Sequence, residues 1–118
     1  MTSNRTKFFA LLDAITHIEN QHRDLLPDLD ARALLMCVAV ANDKKQPLNV
    51  TQAMSLKNIG SPAMLHRKIN DLLNHGLIEL VFEGTNRRTK YLLPTAKALA
   101  MFDAMANASA GVYKVANA

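Results

Sequence analysis

The chain has 118 residues, 49% of them hydrophobic and 20% charged, which is the composition of one ordinary globular domain and excludes a disordered or fibrous protein. Its single cysteine excludes an intrachain disulfide, and the longest apolar run, residues 33–41, is too short to span a bilayer. The first residues lack the charged-then-apolar pattern of a signal segment. We therefore expect one cytoplasmic domain over residues 1–118, without a membrane partner.

The net charge of +4 is confined to one segment of the chain. Residues 1–56 and residues 98–118 each carry equal numbers of acidic and basic side chains, whereas residues 57–97 carry seven basic and three acidic ones. A cationic surface of this kind attracts polyanions. The alternative is that the charge only keeps the protein soluble.

Apolar side chains at helical spacing predict a first helix over residues 6–21. The segment Leu25-Leu26-Pro27-Asp28 predicts a connection, because proline restricts the residue before it. Asp30 is the expected N-cap of a second helix, Ala31–Asp43. The expected inner face of that helix consists of Leu34, Leu35, Val38 and Ala41. Met36, Cys37 and Val40 make the helix apolar nearly all round, which predicts burial on most sides and an inert, buried thiol.

Residues 49–60 have the pattern of a short helix that ends in a tight turn. Asn49 is placed to cap a third helix, Val50–Asn58, and Gln52 lies at the spacing of a capping box. Gly60 is expected to adopt the left-handed conformation that a tight interhelical turn often needs.

A fourth helix is predicted from Ser61, its N-cap, to Asn74. Pro62 occupies the first turn, where its missing N–H costs nothing, and Gly76 ends the helix. Projected at 100° per residue, the apolar stripe that must face the core contains Leu65, Ile69, Leu72 and Leu73, with Pro62 among them.

Two apolar segments, Leu77–Phe82 and Thr89–Leu93, alternate with the period of a half-buried sheet and flank a polar tip at residues 83–88. A further short strand near Leu48 is weakly indicated. Pro94-Thr95 restarts a helix, which we expect to fray beyond residue 108.

This order predicts a mainly α fold with a small β-hairpin (α+β), namely a winged helix-turn-helix. The helix-turn-helix and wing occupy residues 48–94. Flanking helices occupy residues 6–23 and 95–108.

In a helix-turn-helix, the exposed N-terminal part of the second helix enters the major groove of DNA. Arg67 can donate two hydrogen bonds to guanine, and Ala63 and Met64 can contact a thymine methyl. Ser61 and the free N–H groups of the first turn can hold a phosphate. The alternative is a solvated helix face on which Arg67 pairs with Asp71.

The hairpin carries cations that can follow phosphates or reach the minor groove, within the wing Glu83–Lys90. The alternative is an edge ribbon kept soluble by charge. The full set of predicted DNA-binding residues is Ser61, Ala63, Met64, His66, Arg67, Lys68, Asp71, Arg87, Arg88 and Lys90.

The first and last helices have apolar faces too wide for a small core to cover. They can pack within their own monomer, but we favour burial between two subunits, because palindromic DNA sites require two-fold dimers. The predicted dimer interface contains Phe8, Leu12, Ile15, Leu99, Phe102 and Met105.

Two segments resemble the MarR-type winged-helix regulators of bacteria and archaea. Residues 48–80 (LNVTQAMSLKNIGSPAMLHRKINDLLNHGLIEL) have the family's order of helix, turn, recognition helix and a Gly-Leu-Ile opening into the wing. Residues 84–98 (GTNRRTKYLLPTAKA) have its short basic wing, followed by a threonine that starts the next helix. The resemblance implies a dimeric repressor or activator, and some members are released by small aromatic ligands or by cysteine oxidation. This chain departs in its short flanking segments and in having Asn86-Arg87-Arg88 where the family commonly has aspartate-x-arginine.

No His, Cys or carboxylate cluster has metal-ligand spacing, and no phosphate-binding glycine loop or nucleophile elbow is present. We therefore expect no enzyme, no metal and no cofactor. The expected partner is double-stranded DNA, and an effector ligand cannot be named from the residues. The competing hypothesis is a winged helix that serves as an interaction or assembly module, for example in replication or partition complexes, without specific DNA readout.

Overall fold

The computed structural model describes residues 3–25 and 28–116, and for residues 113–116 the backbone alone. Over these residues the chain is mostly helical, with one two-stranded antiparallel hairpin, which confirms the mainly α, α+β class. The elements in order are α1 (Asn4–Gln21), α2 (Leu29–Asp43), α3 (Val50–Ala53), α4 (Pro62–Asn74), β1 (Ile78–Phe82), β2 (Lys90–Pro94) and α5 (Ala96–Ala116). None of the described helices has the length and apolar character needed to cross a membrane.

The chain divides into two compact units. The central unit is Asp24–Ala98 and contains α2, α3, α4 and the hairpin. The terminal unit combines Met1–Arg23 with Leu99–Ala118 and contains α1 and most of α5. All the residues predicted to contact DNA belong to the central unit, and all those predicted to form a dimer interface belong to the terminal unit.

Helix α2 begins two residues earlier than predicted, because Asp28 and not Asp30 is its N-cap. The Asp28 Oδ1 atom accepts a hydrogen bond of 2.8 Å from the Ala31 N–H. Asp30 lies in the first turn, where a negative charge faces the positive end of the helix dipole. The predicted inner face is confirmed at Leu34, Leu35 and Val38, which are fully buried, and is only half-buried at Ala41.

The expected burial of α2 on most sides is met only in part, and the expectation of a buried thiol is wrong. Val40 is 53% exposed, and Cys37 is half-buried and not sealed inside the core. In the central unit α2 packs against α4 and β2, and these neighbours cover the Leu34–Val38 stripe. Met36, Cys37 and Val40 instead line a shallow apolar groove on the other side of the helix.

Helix α3 is much shorter than the predicted Val50–Asn58. The capping box is present, since the side chains of Asn49 and Gln52 each accept a hydrogen bond from the other residue's backbone N–H. The helix ends at Ala53, and the chain continues through turns to Ile59. Ser55 explains the early end in part, because its hydroxyl donates to the Thr51 carbonyl oxygen (2.8 Å) and so offers the backbone an alternative to the helical bond.

Helix α4 begins as predicted, with Ser61 accepting a hydrogen bond from the Met64 N–H (3.2 Å) and Pro62 in the first turn. Its core side is Leu65, Ile69 and Leu72, whereas Leu73 is half-buried. The helix ends at Asn74, and Gly76 follows the C-cap His75 with a φ of 70°, the left-handed conformation that a glycine adopts without strain.

Gly60 does not adopt the predicted left-handed conformation, since among the described glycines only Gly76 and Gly84 have positive φ. The turn before α4 is closed by ordinary bonds, in which the N–H groups of Ile59 and Gly60 donate to the Leu56 carbonyl oxygen (2.9 and 3.3 Å). Glycine at this position is therefore explained by space and not by the backbone angle, because the Met64 side chain of α4 occupies the place that a Cβ atom would take.

The hairpin pairs β1 with β2 in antiparallel register, with Leu80 opposite Leu92. Its tip turns at Gly84 (φ 55°). The weakly predicted strand near Leu48 is a single bridge, in which Asn49 pairs with Tyr91 and the Leu92 N–H donates to the Leu48 carbonyl oxygen (2.8 Å). This bridge ties the start of α3 to the hairpin.

Helix α5 starts at the threonine, as predicted. The Thr95 hydroxyl oxygen accepts from the Ala98 N–H (3.2 Å) and its O–H donates to the Gly76 carbonyl oxygen (2.7 Å). The helix then runs to Ala116, beyond the predicted end at residue 108. At the start of this extension Ser109 is buried, and its hydroxyl donates a hydrogen bond to the Met105 carbonyl oxygen (2.7 Å), so a polar residue is accommodated inside the helix.

Candidate nucleic-acid interface

The N-terminal half of α4 presents polar and cationic side chains to solvent. Ser61, Ala63, His66 and Arg67 are exposed, and Met64 is half-buried. This follows from the amphipathic pattern of the helix, in which Leu65, Ile69 and Leu72 turn toward the core. The predicted outward side of the helix is therefore outward in the structure.

Two flanks border this outward side. On the first, which we call the hairpin flank, His66, Asn70 and Leu73 face a groove shared with the hairpin. On the second, the α2 flank, Lys68 and Asp71 lie near the start of α2. Arg67 projects between the two flanks. The predicted site residues of α4 are thus divided into two groups with different neighbours.

The groove on the hairpin flank has a volume of about 400 Å³. Its apolar floor consists of Ile69, Leu73 and Leu80. Polar and cationic groups from three elements surround the floor: Asn49, Thr51, His66, Asn70, Arg88, Thr89 and Lys90. The groove therefore combines hydrogen-bonding groups and positive charge over a solid floor, which suits an extended anionic chain.

The three cations of the hairpin have different environments. Arg88 and Lys90 line the groove, whereas the Arg87 guanidinium lies 5.3 Å from the centre of the Phe82 ring. The Lys90 ammonium also approaches this ring, at 5.8 Å. Phe82 is therefore a platform that holds two cations near its ring by cation–π attraction.

The hairpin tip has a defined turn conformation. The Asn86 N–H donates to the Glu83 carbonyl oxygen (2.9 Å), and the Asn86 side-chain oxygen accepts from the Arg88 N–H (2.9 Å). The Glu83 carboxylate is engaged with the Tyr91 hydroxyl, a hydrogen bond that raises the pKa of Tyr91. Glu83 thus has a partner on the paired strand, and among the described residues it forms no ion pair with Arg87 or Arg88.

Lys68 is in a different situation from the other predicted DNA-binding cations. Its side chain is only 18% exposed, forms an ion pair with Asp28 and lies 3.9 Å from the Asp71 carboxylate. The hydrogen bond from Lys68 lowers the pKa of Asp28, and the same bond raises the pKa of Lys68. Lys68 and Asp71 therefore join α4 to α2, which positions α4 within the unit. Their assignment as DNA contacts stays a prediction, and this pairing does not favour it.

The alternative pairing of Arg67 with Asp71 is absent among the described residues, where Asp71 pairs with Lys68. Likewise, in the described parts of the chain no carboxylate forms an ion pair with Arg67, Arg88 or Lys90. These three side chains carry uncompensated charge on the outward side and the hairpin flank.

The predicted dimer-interface residues of the terminal unit differ in exposure. Phe8, Leu12 and Leu99 are 54%, 43% and 44% exposed, whereas Ile15 and Phe102 are half-buried. Met105 is buried within the chain, at 6% exposure, so it lies outside the exposed apolar face. Phe9 is 58% exposed and was not among the predicted interface residues, although it follows Phe8 directly in the apolar pattern.

Sequence reasoning also missed four polar residues of the groove. Asn70 is exposed one helical turn after His66 and lines the groove, but it was not among the predicted DNA-binding residues. Asn49, Thr51 and Thr89 reach the groove only because the bridge to β2 brings the start of α3 to the hairpin. A contact between residues so far apart in the chain has no local signal in the sequence.

No protein-family model matches the sequence, and no curated protein shows significant similarity to it. The remaining guide to function is the geometry and charge of the central unit. In this unit α4, the start of α3 and the hairpin together form one cationic surface.

Proposed function

We propose that the chain is a dimeric winged-helix transcriptional regulator of the MarR type that binds double-stranded DNA sequence-specifically. In this proposal α4 is the recognition helix, which lies in the major groove, and the hairpin is the wing, which contacts the backbone or the minor groove. The groove between them takes the sugar-phosphate strand that separates the two DNA grooves.

The observation that carries the proposal is the uncompensated charge of Arg88 and Lys90 in this groove, together with that of Arg67 on the adjoining outward side of α4. An isolated cationic helix face is commonly only solvated. Here two hairpin cations line a groove that α4 also lines, Arg67 is exposed on the same helix, and Asp71, the acidic side chain nearest to Arg67 in sequence, pairs with Lys68. Such an arrangement concentrates positive potential where a phosphate backbone would pass.

The side chains have distinct roles in the proposed complex. Arg67 projects from the exposed half of α4, so it reads base edges and favours guanine through two parallel hydrogen bonds. Arg88 and Lys90 neutralise phosphates and release counterions without reading sequence. His66 and Asn70 line the groove, and they position the DNA backbone by hydrogen bonds.

The homodimer is supported by the exposed apolar face of the terminal unit. Phe8, Phe9, Leu12 and Leu99 each expose 43% to 58% of their surface. Exposed apolar clusters of this kind are characteristic of interaction surfaces. A second copy that covered this face would present two recognition helices to the two halves of a palindromic site.

Selection of binding sites from random duplexes, followed by fluorescence anisotropy at two salt concentrations, tests this function. We expect enrichment of a palindromic sequence and, for Arg67→Ala, a loss of affinity for the selected duplex that exceeds the loss for a scrambled one. Lys44→Ala is the matched control, because Lys44 is an exposed cation outside the groove. Failure to bind any duplex at low salt would overturn the proposal in favour of a protein-interaction module.

A further inference from the structure

The turn before α4 contains a close packing contact that depends on the absence of a side chain at Gly60. A Cβ atom added at Gly60 would overlap the Met64 Cε and lie 3.0 Å from its Sδ. The terminal methyl of Met64 therefore rests where any residue other than glycine would place its Cβ. The backbone does not require glycine, since φ at Gly60 is not positive.

Met64 is the last residue of the first turn of α4, between exposed Ala63 and the helical position of Arg67. Its N–H is fixed by the Ser61 cap, and its side chain is half-buried. Methionine has three flexible torsions and a soft thioether, so its position is determined by its neighbours and not by its own rotamer preference. Gly60 is one such neighbour, because it leaves open the space that the Met64 methyl occupies.

We infer that Gly60 is a specificity-determining residue, which positions Met64 so that its thioether methyl contacts a thymine methyl in the major groove. This inference rests on the proposed function, because it assigns a readout to α4. Gly60 itself touches no base, so its role is that of a positioning residue. The ligand group is the 5-methyl of a thymine, the apolar group that distinguishes thymine in the major groove.

The chemistry of the contact makes a distinctive prediction. The atom displaced by a new Cβ at Gly60 is the far end of a flexible chain, and the backbone there already suits alanine. Gly60→Ala should therefore leave the fold intact while moving the Met64 methyl. A structural role alone would instead change stability and leave the thymine preference unaltered.

The experiment replaces each thymine of the selected duplex in turn by deoxyuridine, which removes only the 5-methyl group. For the parent protein we expect at least one replacement to weaken binding about fourfold, the value of one buried methyl. Met64→Ala should abolish this sensitivity, and Gly60→Ala should reduce it below about twofold. In the double variant Gly60→Ala should add nothing to Met64→Ala, because Met64→Ala removes the side chain through which Gly60→Ala acts.

Gly111→Ala is the matched control, since a Cβ added at Gly111 meets no atom within 4 Å. It should retain the parent's full uracil profile. The inference is overturned if Gly60→Ala also retains that profile, if the parent tolerates every uracil, or if the two substitutions act additively. A parent protein that selects no duplex at all would instead remove the proposed function, so the two failures are distinguishable.

Discussion

The cations beside the two flanks of α4 differ in exposure and in whether a carboxylate pairs with them. On the α2 flank, Lys68 is mostly covered, paired with Asp28 and close to Asp71. On the hairpin flank, Arg88 and Lys90 border a groove, and in the described residues no carboxylate pairs with either. The count of basic residues is therefore a poor guide to a polyanion surface, and the position of each acidic partner decides which cations are available.

The difference also assigns the two flanks different tasks. The Lys68–Asp28 pair connects α4 to the first turn of α2, and Asp28 simultaneously caps α2. That flank fixes the angle at which α4 is presented. The hairpin flank and the outward side are left to meet a ligand, with Arg67 between them.

Arg67→Ala should produce the largest change in DNA binding. Removal of a guanidinium that reads a base pair costs about 1–3 kcal/mol, or roughly 5- to 150-fold in affinity for the selected site. Affinity for a scrambled duplex should fall much less. Anisotropy titrations of both duplexes measure the ratio, and equal losses on the two would show that Arg67 contacts only the backbone.

Phe82→Ala should have the next largest effect, because it removes the platform under Arg87 and Lys90. A less ordered pair of cations pays more conformational entropy on binding, so we expect about a threefold loss for every duplex. Phe82→Leu keeps the apolar bulk but not the ring and is the matched variant. If Phe82→Leu binds as the parent does, packing and not cation–π attraction organises the hairpin.

Asp28→Asn should have a smaller effect of opposite sign. Asparagine caps a helix as well as aspartate does, so α2 persists while Lys68 loses its main partner. The released ammonium should then strengthen binding to any duplex by about twofold. An unchanged affinity in Asp28→Asn, with unaltered helicity by circular dichroism, would show that Lys68 lies beyond the reach of DNA even when released.

The smallest expected effect is a pH dependence of stability from the same pair. Asp28 has its pKa lowered below the ordinary 3.8 by the bond from Lys68, so its charged form is favoured in the folded state. Its contribution is present above about pH 5 and is lost as pH falls through the lowered pKa. The difference in unfolding free energy between the parent and Asp28→Asn should therefore shrink toward zero in acid. Urea titrations between pH 3 and pH 7 would contradict this if the difference grew.

Local signals predicted those parts of the fold that local chemistry determines. Ser61 with Pro62 marks the start of α4, Gly76 its end, and Asn49 with Gln52 the capping box of α3. Each of these depends on residues within a few positions of one another. The exposed side of α4 and the hairpin followed from the periodicity of the same segments.

The remaining features depend on contacts between distant residues. Lys68 pairs with Asp28, which lies forty positions away in the chain. Asp28 also caps α2, two positions before Asp30, which was the predicted cap. The steric reason for glycine at position 60 depends on where the Met64 side chain lies, which the sequence alone does not show. The start of α3 likewise reaches the groove because Asn49 bridges to Tyr91, and the sequence indicated only a weak strand near Leu48 without its partner.

The salt dependence of duplex binding by Arg88→Ala and by Lys68→Ala distinguishes the two flanks of α4. Each phosphate contact contributes about 0.9 to the slope of log affinity against log salt concentration. We expect Arg88→Ala to lower this slope by about one for each bound chain, while Lys68→Ala leaves it at the parent's value. Equal reductions in the two variants, or an unchanged slope for Arg88→Ala, would contradict the division of α4 into a structural flank and a DNA-binding flank.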